Sequence, residues 1–386
     1  MVDFALSPEQ VEIQKLAAKF AQNEMLPVAA KHDRSGEFPH DVLKKAHENG
    51  LMNLSIPTEY GGMGLGIFDT CLVVEEFAAA CTGITSSIFA NELALGPIVL
   101  SGSPELKDRF LKPFTQEFRL ASFGLTEPSA GSDAMGLKTA VKKEGDGYTL
   151  NGVKQFITNA PHASLFTIFA THDPSKKHKG LSCLIVEKGA KGLWIGKEED
   201  KLGQRCSPVS EVRLEDVHVP KENLVGEELK GAQVCLQTLD RSRPAIGALG
   251  VGVARASLEN SVKYSTQRQQ FGVPIASFQA IQFKIAEMAK DLQAARWLVW
   301  HAAWMVDRGE RASLYSSMAK CFAADVAMAA STEAVQVHGG YGYIKEFPVE
   351  KLMRDAKLLQ IYEGTNEIQR LVIAREILEQ ATGKRW

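Results

Sequence analysis

A carboxylate followed directly by glycine and threonine marks the segment with the clearest chemical potential, Glu363-Gly364-Thr365 within residues 361–370. This order leaves the backbone N–H of Glu363 free to point into a cavity. One residue would then supply both a general base and a hydrogen-bond donor. Taken alone, however, a glutamate at a turn is most simply a solvated surface carboxylate.

Two further segments combine hydroxyl groups with small side chains. Residues 121–133 (ASFGLTEPSAGSD) are predicted to form a turn between a helical region and the first strand, and Phe156-Ile157-Thr158-Asn159 is predicted to end a strand beside a bend. Small residues allow a backbone to approach a large flat ligand, and threonine and serine hydroxyls can bind its ring or phosphate oxygens. Each segment by itself is equally well explained as a structural turn.

A cation and a pair of glycines mark two more candidate segments. Arg268 precedes a break in a helical pattern at Gly272-Val273-Pro274, a placement that suits an anion such as pyrophosphate but also an ordinary surface arginine. Gly339 and Gly340 would allow close contact between the backbone and phosphate or ribityl groups. These glycines are not a Rossmann fingerprint, because no strand precedes them and their spacing differs from GxGxxG.

The elements that must position these segments change character twice along the chain. Apolar spacing predicts helices from Ser7 to about residue 114, strands follow from about residue 118, and helices return from about residue 231. Asn151-Gly152 lies between two strand-like runs and predicts a β-hairpin turn. This order predicts an α+β protein with an N-terminal helical domain (1–117), a central β domain (118–228) and a C-terminal helical domain (229–386).

The composition gives no reason to expect a nucleic acid, a membrane or a metal ion as a binding partner. The 386-residue chain is 45% hydrophobic with a net charge of −2, which gives no electrostatic reason to expect nucleic acid or an anionic membrane. No apolar run approaches the ~20 residues that span a bilayer, and no signal peptide is expected. The six cysteines form no CxxC pair and the nine histidines show no tight spacing. We therefore expect buried thiols in a reducing cytoplasm and no metal site.

Five segments taken together carry a resemblance that none carries alone. TEPSAGSD, FITNA, RQQFG, QVHGGYG and IYEGTNEIQR, in this order and at these separations, resemble the characteristic segments of the acyl-CoA dehydrogenase family, in its short- and medium-chain-like bacterial form. The resemblance covers essentially the whole chain. It implies an N-terminal helical domain, a central β-barrel-like domain and a C-terminal four-helix bundle. It also implies a homotetramer built as a dimer of dimers, located in the cytoplasm of a bacterium or, after processing, in the mitochondrial matrix of a eukaryote.

The resemblance also implies roles for individual residues, with FAD as the cofactor and Glu363 as the catalytic base. Substrate contacts are expected at Ser132, Asp240, Arg243 and Gly364. Many relatives carry tryptophan where this chain has Phe156. The residues expected to contact FAD, some of them from a neighbouring subunit, are Phe123, Leu125, Thr126, Gly131, Ser132, Phe156, Thr158, Arg268, Phe271, Gln279, Gln336, Gly339, Gly340, Thr365 and Glu367.

The reaction implied by the resemblance is α,β-dehydrogenation of an acyl-CoA thioester, as in β-oxidation. Glu363 would remove the α-proton while the β-carbon delivers a hydride to flavin N5, and the electrons would pass to an electron-transferring flavoprotein. An apolar cavity should raise the pKa of Glu363 until it matches the weak acidity of the substrate.

Other functions remain open on the sequence. A flavin oxidase of the same fold, a dehydrogenase for cyclic or branched acyl groups, and a non-enzymatic flavin- or CoA-binding partner all share the architecture. The acyl pocket is expected along residues 89–95, where Glu92 is unusual for a hydrocarbon site. Glu92 either points outward or marks a branched, cyclic or functionalised acyl group.

Overall fold

The N-terminal part of the chain is helical, and its first helix begins at the cap that the sequence predicts. The computed structural model describes residues 5–384. The Ser7 hydroxyl accepts a hydrogen bond from the Gln10 backbone N–H, and the Gln10 side-chain oxygen accepts one from the Ser7 backbone N–H, which forms a capping box. The helices of this part are α1 (Pro8–Phe20), which continues through a π-helical segment (Ala21–Met25) into α2 (Leu26–Ser35), then α3 (His40–Glu48), α4 (Ile67–Ser101) and α5 (Pro104–Gln116).

Helix α4 is the element that joins the N-terminal core to the rest of the molecule. It is 35 residues long and apolar on nearly all sides, so it is buried all round. Phe77 and Ile84 pack in the N-terminal core, whereas Val74 and Phe89 pack against the C-terminal helices. The helical path is interrupted at Cys81, where φ is −162° and ψ is 105°. The half of α4 that follows Cys81 can therefore run in a different direction from the half that precedes it.

The central part is one mixed sheet within residues 5–384. Its strands pair in the order β6-β7-β3-β2-β4-β5-β8, and β1 pairs with β4 in parallel. The parallel pairing places the end of β1 beside the middle of the sheet, next to the helical domains. The strands are β1 (Ala121–Gly124), β2 (Ala140–Glu144), β3 (Gly147–Thr158), β4 (Leu165–Thr171), β5 (Leu181–Glu187), β6 (Leu193–Glu198), β7 (Val209–Pro220) and β8 (Leu224–Val225).

The predicted hairpin at Asn151-Gly152 is wrong. Both residues lie inside the continuous strand β3, and the pairing of β3 with β7 shifts register between Leu150 and Gly152. Asn151 exchanges two hydrogen bonds with Asp216 of β7, which fixes an irregularity in the strand instead of a turn. The chain reverses earlier, between β2 and β3. The turn predicted at residues 121–133, before the first strand, is also partly wrong, because β1 (Ala121–Gly124) occupies its start and only residues 125–133 lie in the connection between the first two strands.

The C-terminal part is a helical bundle packed against α4. Helix α6 approaches α8 so closely that a Cβ on Gly250 would stand 2.7 Å from the Ala323 carbonyl oxygen. A small hairpin, β9 (Gln269–Gln270) and β10 (Val273–Pro274), separates α6 from α7. The helices are α6 (Gly231–Gln267), α7 (Gln279–Asp307), α8 (Ser313–His338), α9 (Val349–Leu359) and α10 (Asn366–Thr382).

This order of helices, mixed sheet and helices confirms the predicted three-part fold, while the domain limits stay a prediction. All six cysteines are free and buried, as expected. Within residues 5–384, every helix is too short or too polar to cross a lipid bilayer.

Candidate active site

A cavity of about 370 Å³ lies where α4, the central sheet, α6 and the turn before α10 meet. Apolar side chains of α4 and α6 form one part of its lining: Phe89, Ala90, Leu93, Ile246 and Leu249. The remaining wall gathers ten of the residues predicted to form the site: Phe123, Leu125, Thr126, Gly131, Ser132, Phe156, Thr158, Arg243, Glu363 and Gly364.

The turn that carries Glu363 is held by buried polar side chains. Glu363 has φ of 55°, an unusual value for a residue with a side chain, so its conformation must be fixed by its surroundings. The Gly364 carbonyl oxygen accepts a hydrogen bond from Lys320 Nζ at 2.7 Å, and the Glu363 carbonyl oxygen accepts one from Gln369 Nε2 at 3.0 Å. Lys320 also donates to Asn366 Oδ1 at 3.0 Å, which ties the turn to α8 and to the start of α10.

The Glu363 side chain lines the cavity, and its two carboxylate oxygens have different surroundings. Its Oε2 accepts a hydrogen bond from the Ser242 hydroxyl at 3.0 Å, while Oε1 is buried and has no partner among residues 5–384. Burial raises the pKa of Glu363, and the hydrogen bond from Ser242 and the charges of Arg243 and Lys320 oppose this rise. The backbone N–H of Glu363 likewise meets no acceptor in the described part of the chain. The turn thus combines a carboxylate oxygen and a backbone N–H that lack partners among residues 5–384, while their roles as base and donor stay a prediction.

Two residues that position Glu363 were missed by the sequence analysis. Ser242 immediately precedes the predicted Arg243 in α6, and nothing in its local pattern distinguishes it. Lys320 is fully buried in an alanine-rich stretch of α8, and burial lowers its pKa to about 8 while the Glu363 charge opposes the shift. A lysine on the apolar face of a predicted helix is a signal that could have identified it.

A buried arginine, Arg243, forms an ion pair beside the cavity with Asp240, which is partly exposed. The Arg243 guanidinium donates to Asp240, and Asp240 also accepts a hydrogen bond from Ser313 at 2.6 Å. Arg243 lines the cavity and is 6% exposed, whereas Asp240 stands behind it, outside the lining. The Nε of Arg243 is buried without a partner in residues 5–384, so it is available to a ligand.

Hydrogen-bonding groups also face the cavity from the sheet. Thr126 follows β1 and Thr158 ends β3, and neither hydroxyl has a hydrogen-bond partner among the described residues. Phe156 has φ of 59°, which turns its ring out of the strand and leaves it 63% exposed. The irregular end of β3 therefore presents an aromatic face and a hydroxyl to the same space.

The remaining predicted FAD contacts are not brought to this cavity. Arg268, Gly339 and Gly340 line a separate groove of about 530 Å³, in which the Arg268 guanidinium lies 5.6 Å from the centre of the Tyr341 ring. Thr365 caps α10 through a hydrogen bond from the Ile368 backbone N–H. The others are exposed on the surface of the single chain: Phe271, Gln279, Gln336 and Glu367.

Glu92 lies outside the active-site cavity. Its Oε2 accepts a hydrogen bond from the Ser55 hydroxyl at 2.5 Å, and the residue lines a separate void of about 20 Å³ behind Phe89 and Leu93. Burial raises the pKa of Glu92, and the hydrogen bonds from Ser55 oppose the rise. Glu92 therefore does not share a space with Glu363.

Comparison with solved structures shows the same three-part fold elsewhere. A structure of butyryl-CoA dehydrogenase from Megasphaera elsdenii matches with a TM-score of 0.95 and 40% identity, covering 98% of this chain and 100% of that one. A chain from a study of the electron transferring flavoprotein of Acidaminococcus fermentans matches with a TM-score of 0.96 and 42% identity, again over 98% and 100%.

Sequence relatives agree along the full length. The chain is 45% identical to a probable acyl-CoA dehydrogenase, YngJ, of Bacillus subtilis, over 98% of this chain and 100% of the relative. It is 43% identical to the mitochondrial short-chain specific acyl-CoA dehydrogenase of Mus musculus, over 95% and 89%. The N-terminal, middle and C-terminal domains described for acyl-CoA dehydrogenases match residues 7–117, 122–217 and 230–378. The chain thus belongs to the acyl-CoA dehydrogenase family of flavoprotein oxidoreductases.

Proposed function

We propose that the chain is an FAD-dependent dehydrogenase that converts a short acyl-CoA thioester to the corresponding enoyl-CoA, with Glu363 as the general base. Family membership supports acyl-CoA dehydrogenation as the class of reaction. The observation that carries the finer proposal is the Glu363 carboxylate, with one oxygen held by Ser242 and the other buried and unpartnered beside an apolar wall. Glu92 also has one buried oxygen without a partner, but it lines only the small separate void, whereas Glu363 faces the cavity.

The residues around the cavity fit FAD as the cofactor. The free hydroxyls of Thr126 and Thr158 would hold polar atoms of the ring system, and the exposed Phe156 ring would cover one of its faces. Gly131 leaves room for the phosphates, because a Cβ there would meet no atom within 4 Å. When bound, FAD supplies the acceptor for the hydride that leaves the β-carbon of the substrate.

A second copy of the chain would complete the FAD site. The groove formed by Arg268, Gly339 and Gly340 is open, and the Arg268 side chain has no acidic partner among residues 5–384. Phe271, at the tip of the nearby hairpin, is 93% exposed in the single chain, a state that favours burial against another protein surface. We place this surface, together with Gln279 and Gln336, against the FAD of a neighbouring subunit in a homotetramer, and Thr365 and Glu367 would complete the contacts on the adenine side.

Proton transfer depends on the environment of Glu363. The α-proton of a thioester is too weakly acidic for a carboxylate in water, so the base must be made stronger and the enolate must be stabilised. Burial raises the pKa of Glu363, which strengthens the base. The unpaired backbone N–H of the same residue would donate to the thioester oxygen and stabilise the negative charge that develops there.

The acyl chain and the CoA arm would occupy opposite ends of the cavity. Phe89 and Leu93 close the apolar end, which favours a short acyl chain. Ser132, Gly364 and Arg243 would contact the thioester and the adjoining arm. Asp240 would act through its ion pair, which fixes the guanidinium of Arg243.

The electron acceptor in this proposal is an electron-transferring flavoprotein. Similarity to a chain from the Acidaminococcus fermentans study supports that class of partner. A flavin oxidase would instead pass its electrons to O₂. Turnover of butyryl-CoA with an artificial electron acceptor, compared with turnover in O₂ alone, separates the two: a dehydrogenase requires the acceptor.

Anaerobic reduction of the bound flavin tests the role of Glu363. Mixing the holoenzyme with butyryl-CoA should bleach the flavin, and Glu363→Gln should slow this step by about 10²–10⁴-fold, the usual contribution of a positioned base. Glu363→Asp should retain more activity. The Gln variant should still bind FAD and shift its spectrum with crotonyl-CoA. Reduction of the Gln variant at the wild-type rate would place the base elsewhere, and Glu92→Gln serves as the matched control.

A further inference from the structure

A buried lysine outside the active-site cavity holds the backbone of a residue that lines it. We propose that Lys154, paired with Glu127, is a positioning residue that turns the Thr126 backbone N–H into the cavity, toward the flavin. This inference rests on the proposed function, because it takes the cavity to be the FAD site.

Lys154 lies in β3 with its side chain fully buried. Its Nζ donates to the Leu125 carbonyl oxygen at 3.2 Å and to Glu127 Oε1 at 2.8 Å. Burial lowers the pKa of Lys154 to about 8, and the Glu127 charge opposes the shift. A buried ion pair is often no more stable than apolar side chains of the same volume, so this pair is better explained by the geometry that it imposes.

Glu127 also holds the far end of the loop that connects β1 to β2. Its carboxylate accepts hydrogen bonds from the backbone N–H groups of Lys138 at 2.6 Å and Thr139 at 2.8 Å. These residues lead into β2, whereas Glu127 itself follows β1 closely. The Lys154–Glu127 pair therefore fastens both ends of residues 125–139 to the middle of the sheet.

The orientation of one peptide unit follows from these contacts. The Leu125–Thr126 peptide is trans, so its C=O and N–H groups point in opposite directions. Because the Leu125 C=O points at Lys154, the Thr126 N–H points away from the protein interior, on the side where Leu125 and Thr126 line the cavity. The next carbonyl, that of Thr126, is held by the Gln155 N–H at 2.9 Å.

The Thr126 N–H is free to bind a ligand. No acceptor among residues 5–384 takes a hydrogen bond from it. An N–H fixed in direction before the ligand arrives binds more strongly than one that must be oriented on binding. Loss of Lys154 would release the Leu125 carbonyl group and let this peptide rotate.

The double variant Lys154→Met/Glu127→Gln tests the inference, because it removes both charges together and leaves neither one buried alone. Its apoprotein should remain folded by circular dichroism. We expect its dissociation constant for FAD to rise about tenfold or more. If the N–H binds reduced flavin more strongly than oxidised flavin, a tenfold loss of that preference lowers the two-electron reduction potential by about 30 mV.

Two controls separate positioning from general stability. Lys154→Arg keeps the charge and the donors, so it should recover most of the FAD affinity. Arg255→Met/Glu76→Gln removes another largely buried pair, at 2.7 Å between α6 and α4, and should leave FAD affinity and flavin potential unchanged, whatever its effect on the melting temperature.

The outcomes distinguish this inference from the proposed function. Wild-type protein that fails to bind FAD overturns both. Wild-type affinity and potential in the folded Lys154→Met/Glu127→Gln variant overturn only the positioning role. Equal losses in the Lys154 and Arg255 double variants would also overturn it, because they would reflect stability alone.

Discussion

The Ser242 hydroxyl lies 3.0 Å from Oε2 of Glu363 and donates a hydrogen bond to it. This contact joins α6 to the turn before α10, across the gap between two long helices of the bundle. Oε1 has no partner among residues 5–384, so in the proposed reaction it is the oxygen that takes the proton. Burial thus raises the pKa of Glu363, and the Ser242 hydrogen bond limits that rise together with the charges of Arg243 and Lys320.

Ser242→Ala should shift the acid limb of the pH–rate profile for flavin reduction to higher pH. Its hydrogen bond favours the ionised carboxylate, so its loss raises the pKa of Glu363 further. A hydrogen bond to a charged group contributes roughly 1.5–3 kcal/mol, which corresponds to about 1–2 pH units. Flavin reduction measured from pH 5 to pH 9 checks this. An unchanged acid limb would show that Ser242 does not tune the base.

Glu363→Gln should increase thermal stability at alkaline pH. The folded-state pKa of Glu363 lies above its unfolded value, so the folded wild-type protein loses stability as the pH rises through that raised pKa. The neutral glutamine avoids this loss. The melting temperature of the variant should therefore exceed that of the wild type at pH 8, and the difference should vanish near pH 4, where Glu363 is protonated in both states. A lower melting temperature at pH 8 would contradict the prediction.

Phe89→Leu should extend the range of acyl chains. Phe89 separates the active-site cavity from the small void beside Glu92, and a smaller side chain lengthens the apolar end. Two extra buried methylene groups contribute about 1.6 kcal/mol, so kcat/KM for hexanoyl-CoA relative to butyryl-CoA should rise roughly 15-fold. Phe77 is also buried and lies on the same helix, but it packs in the N-terminal core, away from the cavity. Phe77→Leu is therefore the matched control and should leave this ratio unchanged.

Arg268→Ala should weaken FAD binding in the assembled protein. One charge-assisted phosphate contact contributes roughly 1.5–3 kcal/mol, so the dissociation constant should rise about 10- to 100-fold. Arg213→Ala, an exposed arginine on the central sheet, should have no effect. Light scattering of the wild type should give a tetramer. An FAD-loaded monomer would contradict the proposed contribution from a neighbouring subunit.

Much of this protein was determined by the sequence itself. The alternation of helical and strand patterns predicts the three-part fold, and the family segments point to Glu363, Thr126 and Thr158, because short-range spacing carries information about turns and hydroxyl clusters. The local signal failed at Asn151-Gly152, where a hairpin pattern is overridden by pairing with β7 on both sides of the bulge.

Only the tertiary structure decided which distant residues meet. Ser242 and Lys320 reach the Glu363 turn from two different helices, and Lys154 reaches Leu125 across the sheet. The position of Lys320 on an apolar helix face marks it as unusual, but no local pattern shows which residues these three side chains contact, since each contact depends on how long helices and strands are packed together. The packing of these elements also places some predicted FAD contacts in the cavity and others in the separate groove. Residues that lie apart in sequence acquire a shared environment only when the chain is folded.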